Sequence, residues 1–231
     1  LVFDYQSKKE NIEQLLAKSE MKKMDLIYAP FQVKEAEKVG NWCKINKIRV
    51  VFPVSVPSSF LNENKYAYAL TPSNELLAEN LANYMYQIHE NQQIVLIKGD
   101  KADDQIYYDT FLNAFRQLPT KPSRPRIIEA TWATYKKFEK LGAPVYFVFL
   151  STEKEKVLAL LNTYSSNENV SLFGMKEWTD FKEVSSELKN KFTFYYASPS
   201  YFSYKEQSII PFHKQFRSKY GADLKKIAYF I

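Results

Sequence analysis

The chain has 231 residues, enough to bury one large hydrophobic core or two smaller ones. Hydrophobic residues make up 45% and charged residues 25%, a globular composition that excludes a disordered chain. The net charge of +6 arises from 32 basic and 26 acidic residues mixed along the chain, whereas nucleic-acid binders cluster their basic residues, so we expect no nucleic-acid partner.

The first predicted elements are a helix and a strand–helix–strand unit. Apolar spacing predicts a helix over residues 4–20, with Ser19 among its inward positions, and then strands over residues 26–29 and 48–52. A helix lies between the two strands, and its predicted buried face contains Val33, Ala36, Gly40 and Cys43. This is the size of a parallel βαβ unit. Ligands of such sheets bind beyond the carboxyl ends of the strands, which here are residues 29–32 and 53–55.

Strand and helix patterns alternate along the rest of the chain. Residues 54–65 contain Pro, Ser and Asn and predict a loop. Strands are predicted at residues 66–70, 93–97, 126–130, 144–150, 170–173 and 192–197. Helices are predicted at residues 75–89, 105–118, 135–141, 154–164, 179–189 and 205–220, the last ending at Gly221. The alternation predicts an α/β fold with parallel sheets flanked by helices.

Residue types that support catalysis or bind metals lack the required spacing. The sequence has two histidines. His89 is predicted at a helix end, where the helix dipole favours a cation, and His213 is predicted in a basic helix, so we expect neither to belong to a catalytic triad. An acidic group resembles a calcium loop but lacks its glycine and glutamate: Asp100, Asp103, Asp104 and Asp109. Phosphate-binding and zinc motifs are missing. We therefore expect no enzyme, no metal and no cofactor.

Cysteine usage and hydropathy say little about the compartment. Cys43 is the single cysteine, so an internal disulfide is excluded, and its place in a helical pattern predicts burial. No apolar run approaches the roughly eighteen residues that a membrane span needs. Because the sequence begins at Leu1 rather than at Met, a removed signal peptide is compatible with it.

Three stretches, in this order, resemble a known family. They are residues 24–56, with the strand–helix–strand unit, residues 68–100, and residues 212–230, where a helix runs into Tyr220-Gly221. Together they are similar to the type I periplasmic binding proteins, the branched-chain amino-acid and receptor ligand-binding family. The resemblance implies two Rossmann-like lobes with parallel sheets flanked by helices. It places residues 1–70 in the first lobe, residues 71–204 in the second, and residues 205–231 back in the first.

The chain departs from the family pattern at two turns. The family has Gly-Pro-Ser where this chain has Ala29, Pro30 and Phe31, and we expect the bulky Phe31 to fill part of the cleft. The turn after the first strand of the second lobe has no glycine over residues 103–108.

The resemblance implies a set of ligand contacts. They are Phe31, Gln32, Ser55, Thr71, Ser73, Asp100, Tyr107 and Tyr196. From the residues alone, a local role stays open for each of them, because turns and caps use the same residue types. Ser55 could support a turn, Thr71 could cap the following helix, and Asp100 could end a strand.

Two functions follow from the resemblance. One is non-catalytic, extracytoplasmic binding of a small polar ligand, an amino acid, peptide or sugar, between the lobes, for transport or sensing. The alternative is a cell-envelope module that keeps the fold but binds a protein or glycan; Phe31 and the 17 Tyr and 17 Phe residues favour it. Both imply a periplasmic or extracytoplasmic location, and a membrane tether outside these residues is compatible with either.

Overall fold

The computed structural model describes residues 11–28, 32–139, 144–165, 167–184, 193–199, 207 and 209–221. It divides into two compact units, Leu1–Ala197 and Ser198–Ile231. The first unit contains two separate sheets, and all their strand pairs are parallel. The predicted α/β class, with parallel sheets flanked by helices, is confirmed.

The first sheet has three strands in the order β1-β2-β3. They are β1 (Leu26–Tyr28), β2 (Arg49–Phe52) and β3 (Ala67–Ala69). Its helices are α1 (Ile12–Leu16), α2 (Val33–Asn46) and α3 (Ser58–Asn62). On α2 the predicted inward positions Ala36, Gly40 and Cys43 are buried. Val39 joins them in a core that includes Phe52 of β2.

The helix α3 lies where the sequence predicted a loop. Its Phe60 packs edge-on against Phe52, with 5.9 Å between ring centroids. A Cβ atom on Gly40 would overlap the Phe60 ring, so the position of this ring requires a glycine at residue 40. Asn64 closes the segment: its buried amide donates to the carbonyl of Gly40 at 2.9 Å and accepts from the Tyr66 N–H at 3.1 Å. A single aromatic anchor in a Ser- and Asn-rich stretch therefore orders what composition alone assigns to a loop.

The second sheet has five strands in the order β5-β4-β6-β7-β8. They are β4 (Gln93–Lys98), β5 (Arg126–Thr131), β6 (Val145–Phe149), β7 (Val170–Met175) and β8 (Thr193–Ala197). The accompanying helices are α4 (Asn74–Ile88), α5 (Ala102–Gln117) and α6 (Lys154–Tyr164). β4 and β6 are buried almost throughout, as expected of a sheet covered on both faces.

Three predicted helices differ from the observed ones. The described part of residues 4–20 is α-helical only over Ile12–Leu16, and Ser19 is exposed. In the predicted helix over residues 135–141, the structure has a 3-10 helix at Tyr135–Phe138. Residues 140 and 141 lie outside the described residues. Residues 179–189 are also not α-helical where described: a 3-10 helix at Lys176–Asp180 follows β7 directly. Trp178 of that 3-10 helix is fully buried, so its packing holds the segment close to the end of β7. This explains why the helical turn begins earlier than predicted and is a 3-10 helix rather than an α-helix.

The second unit contains α7 (Ile209–Tyr220). Gly221 follows it with a φ of 64°, and its N–H donates to the carbonyl of Arg217 at 2.9 Å, which confirms the predicted terminating glycine. Among the described residues, no helix combines the length and apolar character needed to cross a membrane. The predicted boundary at residue 70 and the return of residues 205–231 to the first lobe stay predictions.

Candidate functional site

The loops that follow β2 and β3 are tied to each other by side-chain hydroxyls. Ser55 Oγ donates to the carbonyl of Pro72 at 3.0 Å, and Thr71 Oγ1 donates to the carbonyl of Pro53 at 3.0 Å. Each hydroxyl hydrogen is therefore already used, and only oxygen lone pairs remain for a ligand. Both side chains support the carboxyl edge of the first sheet, and Thr71 does not cap α4.

Ser73 is the residue that caps α4. Its Oγ accepts from the N–H of Leu76 at 3.2 Å and lies 2.6 Å from the Oγ of Ser58. Ser73 is only 4% exposed, so this cap at the amino end of α4 is shielded from solvent. Asn74, the next residue, is half-buried and faces a pocket.

That pocket opens where β6, β7 and β8 end. Strand ends, α4, α5 and the 3-10 helix after β7 line it: Asn74, Leu77, Ala78, Leu81, Tyr107, Leu150, Gly174, Met175, Lys176, Glu177 and Ala197. Its empty volume, open solvent included, is about 280 Å³. The carboxyl edge of a parallel sheet is where ligand sites of such folds form.

Tyr107 is the predicted contact residue that lines this pocket. Its hydroxyl accepts a long 3.4 Å hydrogen bond from Asn74 Nδ2. Burial raises the pKa of Tyr107, and the nearby carboxylates of Asp103, Glu75 and Glu177 raise it further. The phenol therefore keeps its proton at neutral pH and is available as a donor to a ligand.

Among the described residues, the other predicted contacts are not part of the pocket lining. Gln32 is at the amino end of α2 and makes no capping hydrogen bond there, and Phe31 lies outside the described residues. Asp100 is exposed and forms an ion pair with Lys156, which also pairs with Glu153 at 2.9 Å. Tyr196 is 40% exposed on β8, one residue before Ala197.

The sequence reasoning missed several residues that line the pocket. Asn74 was overlooked because only its capping neighbour Ser73 was considered at the start of the helix, and Glu177 lay between the strand predicted over residues 170–173 and the helix predicted over residues 179–189. A signal was present, because Lys176 and Glu177 directly follow the strand β7, and residues at that position of a parallel sheet point toward ligands.

Two titratable side chains outside the pocket, those of His89 and Cys43, pack against apolar neighbours. His89 follows the last residue of α4 and lies among aromatic rings. Its ring packs 4.4 Å from that of Tyr146 and 5.5 Å from that of Phe173, and burial lowers its pKa. Burial raises the pKa of Cys43 to about 12, so its thiol is unreactive at neutral pH. In the described part of the chain, no three His, Cys, Asp or Glu side chains are grouped so as to hold a metal ion.

The chain matches no protein-family model, and no curated protein shows a significant sequence match. Solved structures do match. An ABC transporter substrate-binding protein from Desulfitobacterium hafniense aligns with a TM-score of 0.67 at 14% identity, over 94% of this chain and 63% of that one. A structure of that description in complex with Leu gives 0.64 at 14% identity, over 94% and 65%.

A branched-chain amino acid ABC transporter periplasmic ligand-binding protein from Burkholderia xenovorans LB400 gives 0.64 at 14% identity, over 96% and 61%. This chain thus spans less than two thirds of the length of each of these proteins. At such low identity the likeness concerns the fold. Together with the two parallel sheets, these matches show that the chain has the type I periplasmic binding protein fold.

Proposed function

We propose that this chain is the ligand-binding part of an extracytoplasmic solute-binding protein, and that the pocket at the ends of β6, β7 and β8 takes a small amino acid with an apolar side chain. The chain has no catalytic role in this proposal. The observation that carries it is the pocket itself, because apolar and charged side chains meet there at the edge where this class of sheet binds ligands.

The apolar wall suits a short hydrocarbon side chain. Leu77 and Leu81 of α4 face Leu150 and Met175 at the ends of β6 and β7. Burying a small aliphatic group there is worth about 1.5–3 kcal/mol. The Leu-bound neighbour supports a ligand of this size.

The charged side chains suit the two ends of a zwitterion. Glu177 lines the pocket, and Glu75 and Asp103 lie close enough to Tyr107 to raise its pKa, so the environment of the phenol favours a ligand ammonium group. Lys176 and the amino end of α4, where the helix dipole is positive, favour a carboxylate. A ligand with one charge alone would leave one of these groups unpaired.

The descriptions of the structural neighbours support the proposed location. Neighbours include a protein described as periplasmic and proteins described as ABC transporter substrate-binding. A chain with this fold and a role in uptake would meet its ligand outside the cytoplasmic membrane, and delivery to a transporter would be its further task.

A thermal-shift screen tests the proposed class. The panel contains the L-amino acids, primary amines without a carboxylate, benzoate and other carboxylates without an amine, and sugars. A ligand at one hundred times its Kd adds about 2.7 kcal/mol, which raises the Tm by about 5–10 °C in a chain of this size. We expect aliphatic L-amino acids to give this shift.

Matched variants locate the response. At the same ligand concentration, Glu177→Gln should reduce the amino-acid shift to about half or less, as expected of an at least tenfold weaker affinity, whereas Glu155→Gln, at an exposed position on α6, should retain it. A shift with benzoate or a sugar but with no amino acid would replace the proposed ligand class. An absence of any shift across the panel would refute small-ligand binding.

The second candidate function is an interaction module that has lost its small ligand. The hydroxyls of Ser55 and Thr71 favour it, because each already donates its hydrogen to a backbone carbonyl and cannot donate it to a ligand at the edge of the first sheet. Tyr68 and Leu70 also remain 51% and 61% exposed at and beyond β3. A pull-down from envelope fractions with Tyr68→Ser as the matched variant tests this function, and retention by both forms would argue against that surface.

A further inference from the structure

Three loops at the carboxyl edge of the second sheet meet at one buried serine. Ser151, just after β6, donates from Oγ to Oδ2 of Asp104 at 2.7 Å, and Asp104 lies in the first turn of α5. The Ser151 carbonyl accepts from Nε1 of Trp178 at 2.7 Å, and Trp178 lies in the 3-10 helix after β7. The loops after β4, β6 and β7 are thereby joined in a single chain of hydrogen bonds.

The members of this network are shielded from water. Asp104 is 2% exposed, and Ser151 and Trp178 are 0% exposed. Ser151 Oγ also accepts from the N–H of Glu153 at 3.0 Å, so its hydroxyl both donates and accepts. A hydrogen bond to a carboxylate is stronger than a neutral one, and inside a protein a lost partner leaves a costly unsatisfied group. Breaking any of these hydrogen bonds should therefore be costly.

At two of the five glycines, side chains of the network fill the space that a Cβ atom would need. A Cβ atom on Gly99 would lie 2.5 Å from the Cβ of Asp104. A Cβ atom on Gly174 would lie 2.6 Å from the six-membered ring of Trp178. In a chain so poor in glycine, these positions indicate that the loops are shaped around the two side chains.

The network ends at the wall of the pocket. Trp178 shares its 3-10 helix with Lys176 and Glu177, which both line the pocket, and its ring lies against the pocket residue Gly174. On its other side the ring stacks on Phe194 of β8, with centroids 5.2 Å apart and planes within 1°. A displacement of Trp178 would move the charged side chains one and two residues before it.

We propose that Asp104 and Ser151 are positioning residues: through Trp178 they hold Lys176 and Glu177 in the geometry that the pocket needs for its ligand. Neither residue touches the ligand. The role in binding rests on the proposed function, whereas the mechanical link between the network and the 3-10 helix does not.

Hydrogen exchange measured by mass spectrometry tests the link without any ligand. In Asp104→Asn and in Ser151→Ala, we expect the amides of residues 175–180 to exchange at least about tenfold faster than in the unmodified chain. Trp178→Phe, which keeps a stacking ring but removes the N–H donor, should have the same effect. If one variant does not fold, the other two decide the result.

Asn64→Ala is the matched control. Asn64 is also buried, and it joins α2 to the segment before β3, far in the sequence from the network. It should lower the Tm but leave exchange at residues 175–180 unchanged. The link is refuted if exchange at 175–180 stays at the unmodified rate in all network variants, or rises equally across every strand of the second sheet, as a loss of global stability would produce.

A titration with L-leucine then tests the role in binding. We expect Ser151→Ala to weaken the affinity at least about tenfold and Asn64→Ala to change it less than about twofold. If the unmodified chain binds neither L-leucine nor any other L-amino acid of the thermal-shift panel, the proposed function fails while the exchange data still decide the link. Equal affinities in the unmodified chain and Ser151→Ala, despite faster exchange, would overturn the role in positioning.

Discussion

The hydroxyl oxygens of Ser58 and Ser73 lie 2.6 Å apart, so the short helix α3 beside the first sheet is joined to the cap of α4. α4 carries Asn74, Leu77, Ala78 and Leu81 into the pocket. The helix α3 thus supports the start of α4, the helix that forms one wall of the pocket.

Replacing Ser73 should expose this dependence. Ser73→Ala removes the acceptor for the Leu76 N–H and the partner of Ser58, and loss of such a cap costs about 1–2 kcal/mol. We expect the free energy of unfolding in urea to fall by this amount. Ser58→Ala keeps the cap and should cost less; the account of the cap is wrong if Ser73→Ala unfolds at the same urea concentration as the unmodified chain.

Gly40 offers a prediction in which two effects oppose each other. In a helix Ala is favoured over Gly by about 1 kcal/mol. Here, however, the added Cβ would overlap the Phe60 ring, and overpacking costs about 1–3 kcal/mol. We expect Gly40→Ala to lower the free energy of unfolding and Phe60→Leu in the same chain to recover part of the loss. Stabilisation by Gly40→Ala alone would show that the helix preference wins.

The environment of His89 predicts how stability depends on pH. Because burial lowers its pKa in the folded chain, the unfolded chain binds the proton more readily. The stability that neutral His89 contributes is present above the unfolded pKa of about 6.5 and is lost as the pH falls through the folded value. In His89→Gln this loss should disappear.

Urea unfolding of both chains at pH 7.5 and pH 5 measures the effect. His213 is kept in both, so it cancels in the comparison. The difference in unfolding free energy between the unmodified chain and His89→Gln should shift in favour of the variant at pH 5. A difference independent of pH would mean that His89 is protonated equally in the folded and unfolded chains.

The sequence predicted the sheets better than the short elements. Buried runs such as that of β4 are recognisable because parallel strands covered on both faces are apolar throughout. The helix α3 was missed because its order comes from Phe60 packing against Phe52 and Gly40, which lie outside the helix itself. The 3-10 helix after β7 was missed for the same reason, since the burial of Trp178 overrides the local helical pattern.

The candidate site was less predictable than the fold. Tyr107 could be assigned because the resemblance carries an aromatic residue at that turn, and the structure places it in the pocket. Ser55 and Thr71 have hydroxyls that look available in the sequence, but their hydrogens are used by carbonyls of neighbouring loops. Only three-dimensional pairing reveals that use. The role of Ser55, Thr71 and the other predicted contacts in binding stays a prediction.

Calorimetric titration of L-leucine into the unmodified chain and into Glu177→Gln tests the proposed binding site most directly. The account predicts saturable binding of one ligand per chain, weakened at least about tenfold by Glu177→Gln, which corresponds to about 1.4 kcal/mol. No heat of binding with the unmodified chain, or an affinity that Glu177→Gln leaves unchanged, would contradict it.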